Sequence, residues 1–205
     1  MLTTTDAIVL SLQPHSDKSH ILHAYTRAGG RVNYRVYGLG RKHAIGMYSP
    51  LSVLQITADH SPSKPPTLKE AVLLTANSNG LTANIYKQTV ALFVSEVLYH
   101  VLRHPMADEP MFDFLTQAIR TLNETDEPQN FHLHFLTDFA AMLGFAMPGT
   151  SSRKMEEMAS DDKGDLPRTR KERQETLQAL CAYFAEHVET WEAPRSLDVL
   201  MEVFD

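Results

Sequence analysis

The sequence predicts an α+β chain: a small five-stranded β-barrel over residues 1–78 and an all-helical region over 79–205. Three observations predict it. Apolar runs rich in β-branched residues alternate with polar ones early in the chain, separated by Pro- and Gly-containing turns. From about Asn77 the apolar residues recur at helical spacing instead. Charge divides at the same place. Residues 1–70 carry eight Lys/Arg and four Asp/Glu, a net of +4; residues 71–205 carry eleven and twenty-one, a net of −10. The whole-chain value of −6 hides this partition of a basic front from an acidic back.

The strands follow in order. Asp6 to Leu12 alternates imperfectly, with Ile8 and Leu10 on one face and Ala7 and Val9 on the other. Gln13 to Asp17 is a polar connection in which Pro14 is expected in the turn, since it cannot donate to a central ladder. Ser19 to Thr26 is the second strand, with Ile21, His23 and Tyr25 opposite His20, Leu22 and Ala24. Gly29-Gly30 supplies a tight reversal. Arg31 to Tyr37 is the third: Val32, Tyr34 and Val36 face the core, and Arg31, Asn33, Arg35 and Tyr37 face out. Gly38 to His43 is a basic loop without the spacing of a phosphate-binding glycine motif. Leu51 to Ala58 is a fourth strand, Ser61 to Pro66 a proline-rich loop, and Leu68 to Leu74 a fifth strand. Closure of five such strands removes exposed edges; an SH3-like barrel and an open sheet satisfy the same count.

Asn79 is expected to cap a helix from Gly80 to His104, ended by Pro105, with Leu81, Ile85, Gln88, Leu92, Val94, Leu98, Val101 and Leu102 as its apolar stripe, widened by Phe93 and Val97. Glu109 to Leu122 is a second helix, buried through Phe112, Leu115, Ile119 and Leu122. Phe131 to Leu143 is a third, with Phe131, Phe135, Phe139 and Met142 inward and Gly144 as its stop. Residues 147–167 read as a loop or disordered excursion. Arg168 to Val188 resumes helix, burying Leu177, Leu180, Cys181, Phe184 and Val188. Ser196 caps a last short helix docked by Leu197, Leu200, Met201 and Phe204.

Several function classes are excluded. The single cysteine, Cys181, rules out an intrachain disulfide and any cysteine-rich zinc module. Ten histidines invite a metal, but His132 and His134 diverge on a helix, His20 and His23 lie on opposite strand faces, and there is no HExxH. Cys181 sits in an apolar helical pattern, as a structural cysteine does. No acid/base pair of carboxylates is defined, so neither an enzyme nor a cofactor is expected. No apolar run reaches the roughly 18 residues of a membrane span, and none reads as a leader; a soluble cytoplasmic protein is the expectation.

The basic residues form the candidate site. Arg27, Arg31, Arg35, Arg41 and Lys42 recur around one turn, its outgoing strand and the next loop, and Lys18 lies at the preceding turn. Phosphate backbones take dispersed positive donors, and a single strand also takes aromatic platforms. Tyr37 shares the face of Arg31 and Arg35 and is the stacking candidate, whereas Tyr34 belongs to the core. Solvated strand faces carry similar charge without any ligand.

The order of these pieces resembles the RecO family of recombination mediators. The resemblance rests on IVLSLQPHSDKSHILHAYTRAGGRVNYRVYGLGRK, on the strand from Pro50-Leu51 to Ile56, on the helix over 81–103 and on the terminal SLDVLMEVFD. It implies an N-terminal OB-fold and a C-terminal helical domain. It also implies binding of single- and double-stranded DNA and annealing of complementary strands. With RecR as partner it implies help in loading RecA onto DNA coated by single-stranded DNA-binding protein (SSB), whose acidic, apolar tail many relatives recognise. Association with the nucleoid during repair follows. The family's basic barrel surface corresponds in position to Arg31, Arg35, Arg41 and Lys42, and less closely to Arg27 and Lys18. One departure is plain: some relatives carry a four-cysteine zinc module, which a chain with Cys181 alone cannot form. The one dense basic run of the acidic region, RTRKER at 168–173, reads as a solvated helix start rather than a tail pocket. A barrel-containing protein adaptor with little DNA affinity, and a hydrolase or metalloenzyme, are the competing readings.

Overall fold

The computed structural model describes residues 1–39, 46–61, 64–74, 81, 84–145 and 169–203. It separates into two compact units, one of Met1–Asn79 with Leu98–Thr116, the other of Gly80–Val97 with Gln117–Asp205.

The first unit holds a closed five-stranded barrel, β1 (Leu2–Ser16), β2 (Ser19–Thr26), β3 (Gly30–Tyr37), β4 (Val53–Ser61) and β5 (Lys64–Leu73), in the order β1-β2-β3-β5-β4. β1 closes it by pairing antiparallel with both β2 and β4, while β3 and β5 run parallel where Arg35 meets Thr67. This is the expected OB-fold. Its interior is the alternate set that the pleat turns inward: Ala7, Val9, Leu22, Ala24, Tyr34, Val36, Leu54, Ile56 and Ala58. Each fully buried Val, Leu or Ile side chain there contributes about 1.5–3 kcal/mol. Tyr34 is among the largest, and burial raises its phenol to about 12.

Three local expectations are corrected in the barrel. Pro14 is not in the turn but within β1, opposite His20 and beside a register shift between Pro14 and Ser16. The fold tolerates it because β4 accompanies β1 only from Leu2 to Ile8. Past Val9, which still exchanges backbone hydrogen bonds with Leu51 and Ser52, no described strand pairs with that side of β1, so a missing donor is no loss there. The Ser61–Pro66 stretch is not all loop, since β4 runs to Ser61 and β5 starts at Lys64 and contains Pro65 and Pro66. The fourth strand starts at Val53 rather than Leu51, which takes a left-handed φ of 62° as the chain enters the sheet.

Helices α1 (Ile85–Val101) and α2 (Glu109–Glu124) each contribute residues to both units; α3 (Phe131–Met142), α4 (Arg170–His187) and α5 (Leu197–Val203) belong to the second. The first helix is shorter than its apolar run. Asn84 caps it, its Oδ1 accepting from the Tyr86 and Lys87 N–H groups at 2.9 and 3.2 Å; Asn79 lies outside the described residues. It ends before Pro105 because Leu102–Asp108 is drawn out along the barrel, where His104 O accepts from Arg31 N at 3.1 Å. Its buried side is Val90, Phe93, Val94 and Val97, and the expected stripe members Ile85 and Leu92 are 60% and 40% exposed. A helix apolar nearly all round gives periodicity little to distinguish.

In α2 the expected Phe112, Leu115, Ile119 and Leu122 are all buried. Asp108 Oδ1 caps its start, accepting from Met111 N at 2.9 Å. In the second unit Phe131, Phe135, Phe139 and Phe184 stack in succession with centroids 5.5–6.3 Å apart. Met142 is 41% exposed, not inward, and Gly144 stops the chain at φ 90°. Thr169 and Glu172 form a reciprocal capping box on α4. Leu177, Leu180 and Phe184 are buried, with Cys181 half-buried. Ser196 does not cap α5 through its side chain. Its N–H and hydroxyl both donate to Glu96 Oε2, at 2.9 and 2.7 Å. Phe204 and residues 147–167 lie outside the described residues.

Candidate nucleic-acid interface

The site starts from the alternation of β3. Tyr34 and Val36 go into the core, while Asn33 and Tyr37 are exposed and Arg31 and Arg35 half-buried on the outer face. Register with β2 sets Tyr25 opposite Arg31, His23 opposite Asn33, Ile21 opposite Arg35 and Ser19 opposite Tyr37. One row of outward side chains therefore runs the length of the strand, but its two ends have different surroundings.

At the Gly30 end the row is covered by the Leu98–Thr116 segment of the same unit. The Arg31 guanidinium lies over the Tyr99 ring, 4.3 Å from its centroid, and its Nη1 donates to Tyr99 O at 3.4 Å. His23 meets that ring edge-on at 5.1 Å and Tyr25 stacks with Phe112 at 6.4 Å. Burial, with the Asp108 charge second, raises the Tyr25 phenol to about 12. Burial lowers the Arg31 pKa from its ordinary value. Arg27 is paired with Asp113 at 2.6 Å and lies 4.6 Å from the Phe112 centroid. Arg27 and Arg31 thus hold this segment to the barrel.

At the other end nothing described covers the row. Arg35 Nη1 donates to the Tyr37 hydroxyl at 3.4 Å, and Nη2 reaches His15 Nε2 at 3.5 Å. Arginine only donates, so this His15 nitrogen accepts. Tyr37 is 54% exposed. Lys18 is exposed in the Asp17-Lys18 turn, whose ends are held by a 2.6 Å bond between the Ser16 and Ser19 hydroxyls. Because Ser19 pairs with Tyr37, that turn stands beside the end of β3. The structure brings Lys18, Arg35 and Tyr37 together at the open end and places Arg27 and Arg31 at the covered one. Arg41 and Lys42 lie outside the described residues.

His15 and Asn33 belong to this face and were not singled out from the sequence. The signal for Asn33 was present in the strand alternation. That for His15 is hidden because residues 13–17 have the composition of a polar connection, whereas β1 extends to Ser16.

In the second unit the described part of the RTRKER run caps and starts α4, with Arg170, Lys171 and Glu172 exposed, while Arg168 lies outside the described residues. Its later part does more. Arg170 and Arg173 line a shallow, open surface concavity with Leu177, Leu200 and Met201. Arg170 and Gln174 both donate to Met201 O at 3.3 Å. Among the described residues no cluster of His, Cys, Asp or Glu is placed to hold a metal. Burial raises the Cys181 thiol to about 11, which disfavours the nucleophilic thiolate. No helix among the described residues is long and apolar enough to cross a membrane.

Comparison with known proteins matches both parts of the chain. The family model described as "Recombination protein O N terminal" matches residues 1–76, and "Recombination protein O C terminal" matches residues 83–162. A "DNA repair protein RecO" from Phocaeicola vulgatus is 30% identical over 241 aligned residues, covering all of both chains. That from Christiangramia forsetii is 28% identical over 240, again covering both completely. That from Porphyromonas gingivalis is 34% identical over 151 residues, covering 70% of this chain and 61% of the relative. A barrel of OB topology, helices after it, and relatives of this identity along the full length place the chain in the RecO family of DNA repair proteins.

Proposed function

We propose that this protein is a DNA-binding recombination mediator that anneals complementary strands and, with RecR, helps load RecA during recombinational repair. The observation that carries this reading is the open end of the β2–β3 face. There Arg35, Tyr37 and Lys18 present two cations and an aromatic ring on the surface with which OB-folds hold oligonucleotides. Arg41 and Lys42 stand beyond Gly38-Leu39-Gly40 in sequence and add two positive charges to this part of the chain. Binding of single- and double-stranded DNA then works by phosphate neutralisation and base stacking. Annealing follows from holding a strand with its bases accessible while its charge is screened. It involves no covalent step and no nucleotide cofactor, and it takes place in the cytoplasm, at the nucleoid during repair.

A titration of a labelled oligonucleotide across ionic strengths tests this. Each phosphate contact contributes about 0.7 to the slope of log affinity against log salt for a single strand. Neutralising Lys18, Arg35, Arg41 and Lys42 together should flatten that slope and weaken binding. Absence of binding at low salt, with or without RecR, overturns the reading and favours an adaptor. Unchanged binding by the folded variant overturns the residue assignment.

The concavity beside α4 supports a second contact, to the acidic, apolar tail of SSB. Arg170 and Arg173 offer charge to carboxylates, with the half-buried Met201 as their apolar neighbour. A labelled tail peptide should bind the native protein and lose affinity in Arg173→Ala. Equal binding by both proteins removes the contact from this cavity.

A further inference from the structure

Between the covered and open ends of the β3 row stands Asn33, an exposed neutral residue held from behind by two donors. His23 Nδ1 is 2.7 Å from Asn33 Oδ1, and Arg31 Nε donates to the same oxygen at 3.5 Å. Arg31 can only donate, so the Asn33 atom facing inward is the carbonyl oxygen. His23 must then carry its proton on Nδ1. Both donors are themselves fixed. His23 is 9% exposed and edge-on to Tyr99, and Arg31 lies over the same ring. Turning the amide over would set its NH2 against the Arg31 Nε–H, which can only donate. The Asn33 Nδ2 group is therefore directed outward, and it donates to no described residue. Successive residues on one strand face are about 6.7 Å apart, so Asn33 and Arg35 are neighbours on the row that ends at Tyr37.

We propose that Asn33 is a specificity-determining contact of the DNA interface, donating a directional hydrogen bond through Nδ2 to an oxygen of a bound single strand. His23 is the residue that positions it. The proposal rests on the DNA-binding reading above and adds to it a contact of different chemistry. Arg35 and Lys18 attract any phosphate, whereas an oriented neutral amide favours a strand lying in one register.

The test is oligonucleotide binding to the full chain, with Asn33→Ala, Asn33→Asp, His23→Ala and the double variant His23→Ala/Asn33→Ala, each checked for native thermal unfolding. Loss of one hydrogen bond should weaken Asn33→Ala by roughly two- to tenfold. Its salt slope should stay unchanged, because no cation is lost. Asn33→Asp should be weaker still, since an acceptor and a charge replace the donor. If His23 acts through Asn33, the double variant should bind no more weakly than Asn33→Ala. Native affinity in Asn33→Ala overturns the proposal, and a flattened salt slope overturns the neutral-donor role. Arg35→Ala measured in parallel keeps the two readings apart: if it too binds like the native protein, the interface itself is misplaced.

Discussion

Arg31 lies over the Tyr99 ring with its guanidinium carbon 4.3 Å from the centroid, and it also donates to the Tyr99 backbone oxygen. Charge alone would place Arg31 beside Arg35 as a DNA contact, yet the two should separate on substitution. Arg31→Ala removes a partly desolvated cation–π contact worth about 1–2 kcal/mol and the donor to Tyr99 O, so it should lower stability in urea unfolding by about that amount. Arg35→Ala should leave the unfolding midpoint nearly unchanged and reduce the salt slope of DNA binding instead. Equal stability losses in the two variants would contradict this division.

Gly30 and Gly38 both have positive φ, 60° and 75°, but only one is enclosed. A Cβ at Gly30 would collide with Met106 O and stand 2.9 Å from His104 O, both backbone atoms that cannot rotate away. At Gly38 nothing lies within 4 Å. Gly38→Ala should therefore cost only the left-handed conformation, about 1–2 kcal/mol. Gly30→Ala should cost more and also loosen the Arg31 N–H to His104 O bond. Hydrogen exchange at the Arg31 amide, compared between the two variants, reads the difference directly.

Much of this is legible in the sequence, and the same physics explains the exceptions. The faces of β3 are legible in the sequence because a half-buried strand must alternate, and Val32-Asn33-Tyr34-Arg35-Val36 does so without a break. The phenylalanines of α3 mark core in the sequence because a spacing of four keeps them on one face. In α1 the sequence is apolar on every side, so the exposure of Ile85 and Leu92 depends on tertiary neighbours. The same holds for Arg27 and Arg31. Their partners Asp113 and Tyr99 stand 86 and 68 residues away, beyond what a local pattern carries. The position of Pro14 within β1 is not legible locally, because its tolerance depends on how far β4 follows β1.

Lys87 offers a further test of buried charge. It is 7% exposed, and its Nζ donates to Asn123 O at 2.7 Å in the last turn of α2. A cation there meets a carbonyl left free by the helix end and the negative end of the helix dipole. Lys87→Met keeps the apolar stem but leaves the carbonyl unpaired. It should destabilise by about 1–3 kcal/mol, measured by urea unfolding. Lys87→Arg, too large for the same seat, should not restore full stability. A neutral effect of Lys87→Met would mean that the ammonium adds nothing beyond its stem.

Two groups on α3 should give opposing pH dependences. Burial foremost, with the Arg173 and His134 charges adding, lowers His132 to about 3. As pH falls below about 6.5 the unfolded chain takes up this proton while the folded one does not, so stability falls. Burial raises Asp138 to about 6. As pH falls from about 6 towards 3.8, the folded chain takes up that proton first, so stability rises. The two contributions offset each other between about pH 6 and 4. Asp138→Asn should therefore stabilise the protein at pH 8, where burying the ionised carboxyl is unfavourable, and the advantage should shrink as pH drops below 6. The variant's own stability should then fall more steeply with acid than the native protein's. His132→Phe should do the reverse, flattening the acid limb. Urea unfolding from pH 4 to 8 distinguishes these outcomes, and parallel curves for Asp138→Asn and the native protein would show that Asp138 titrates alike in both states.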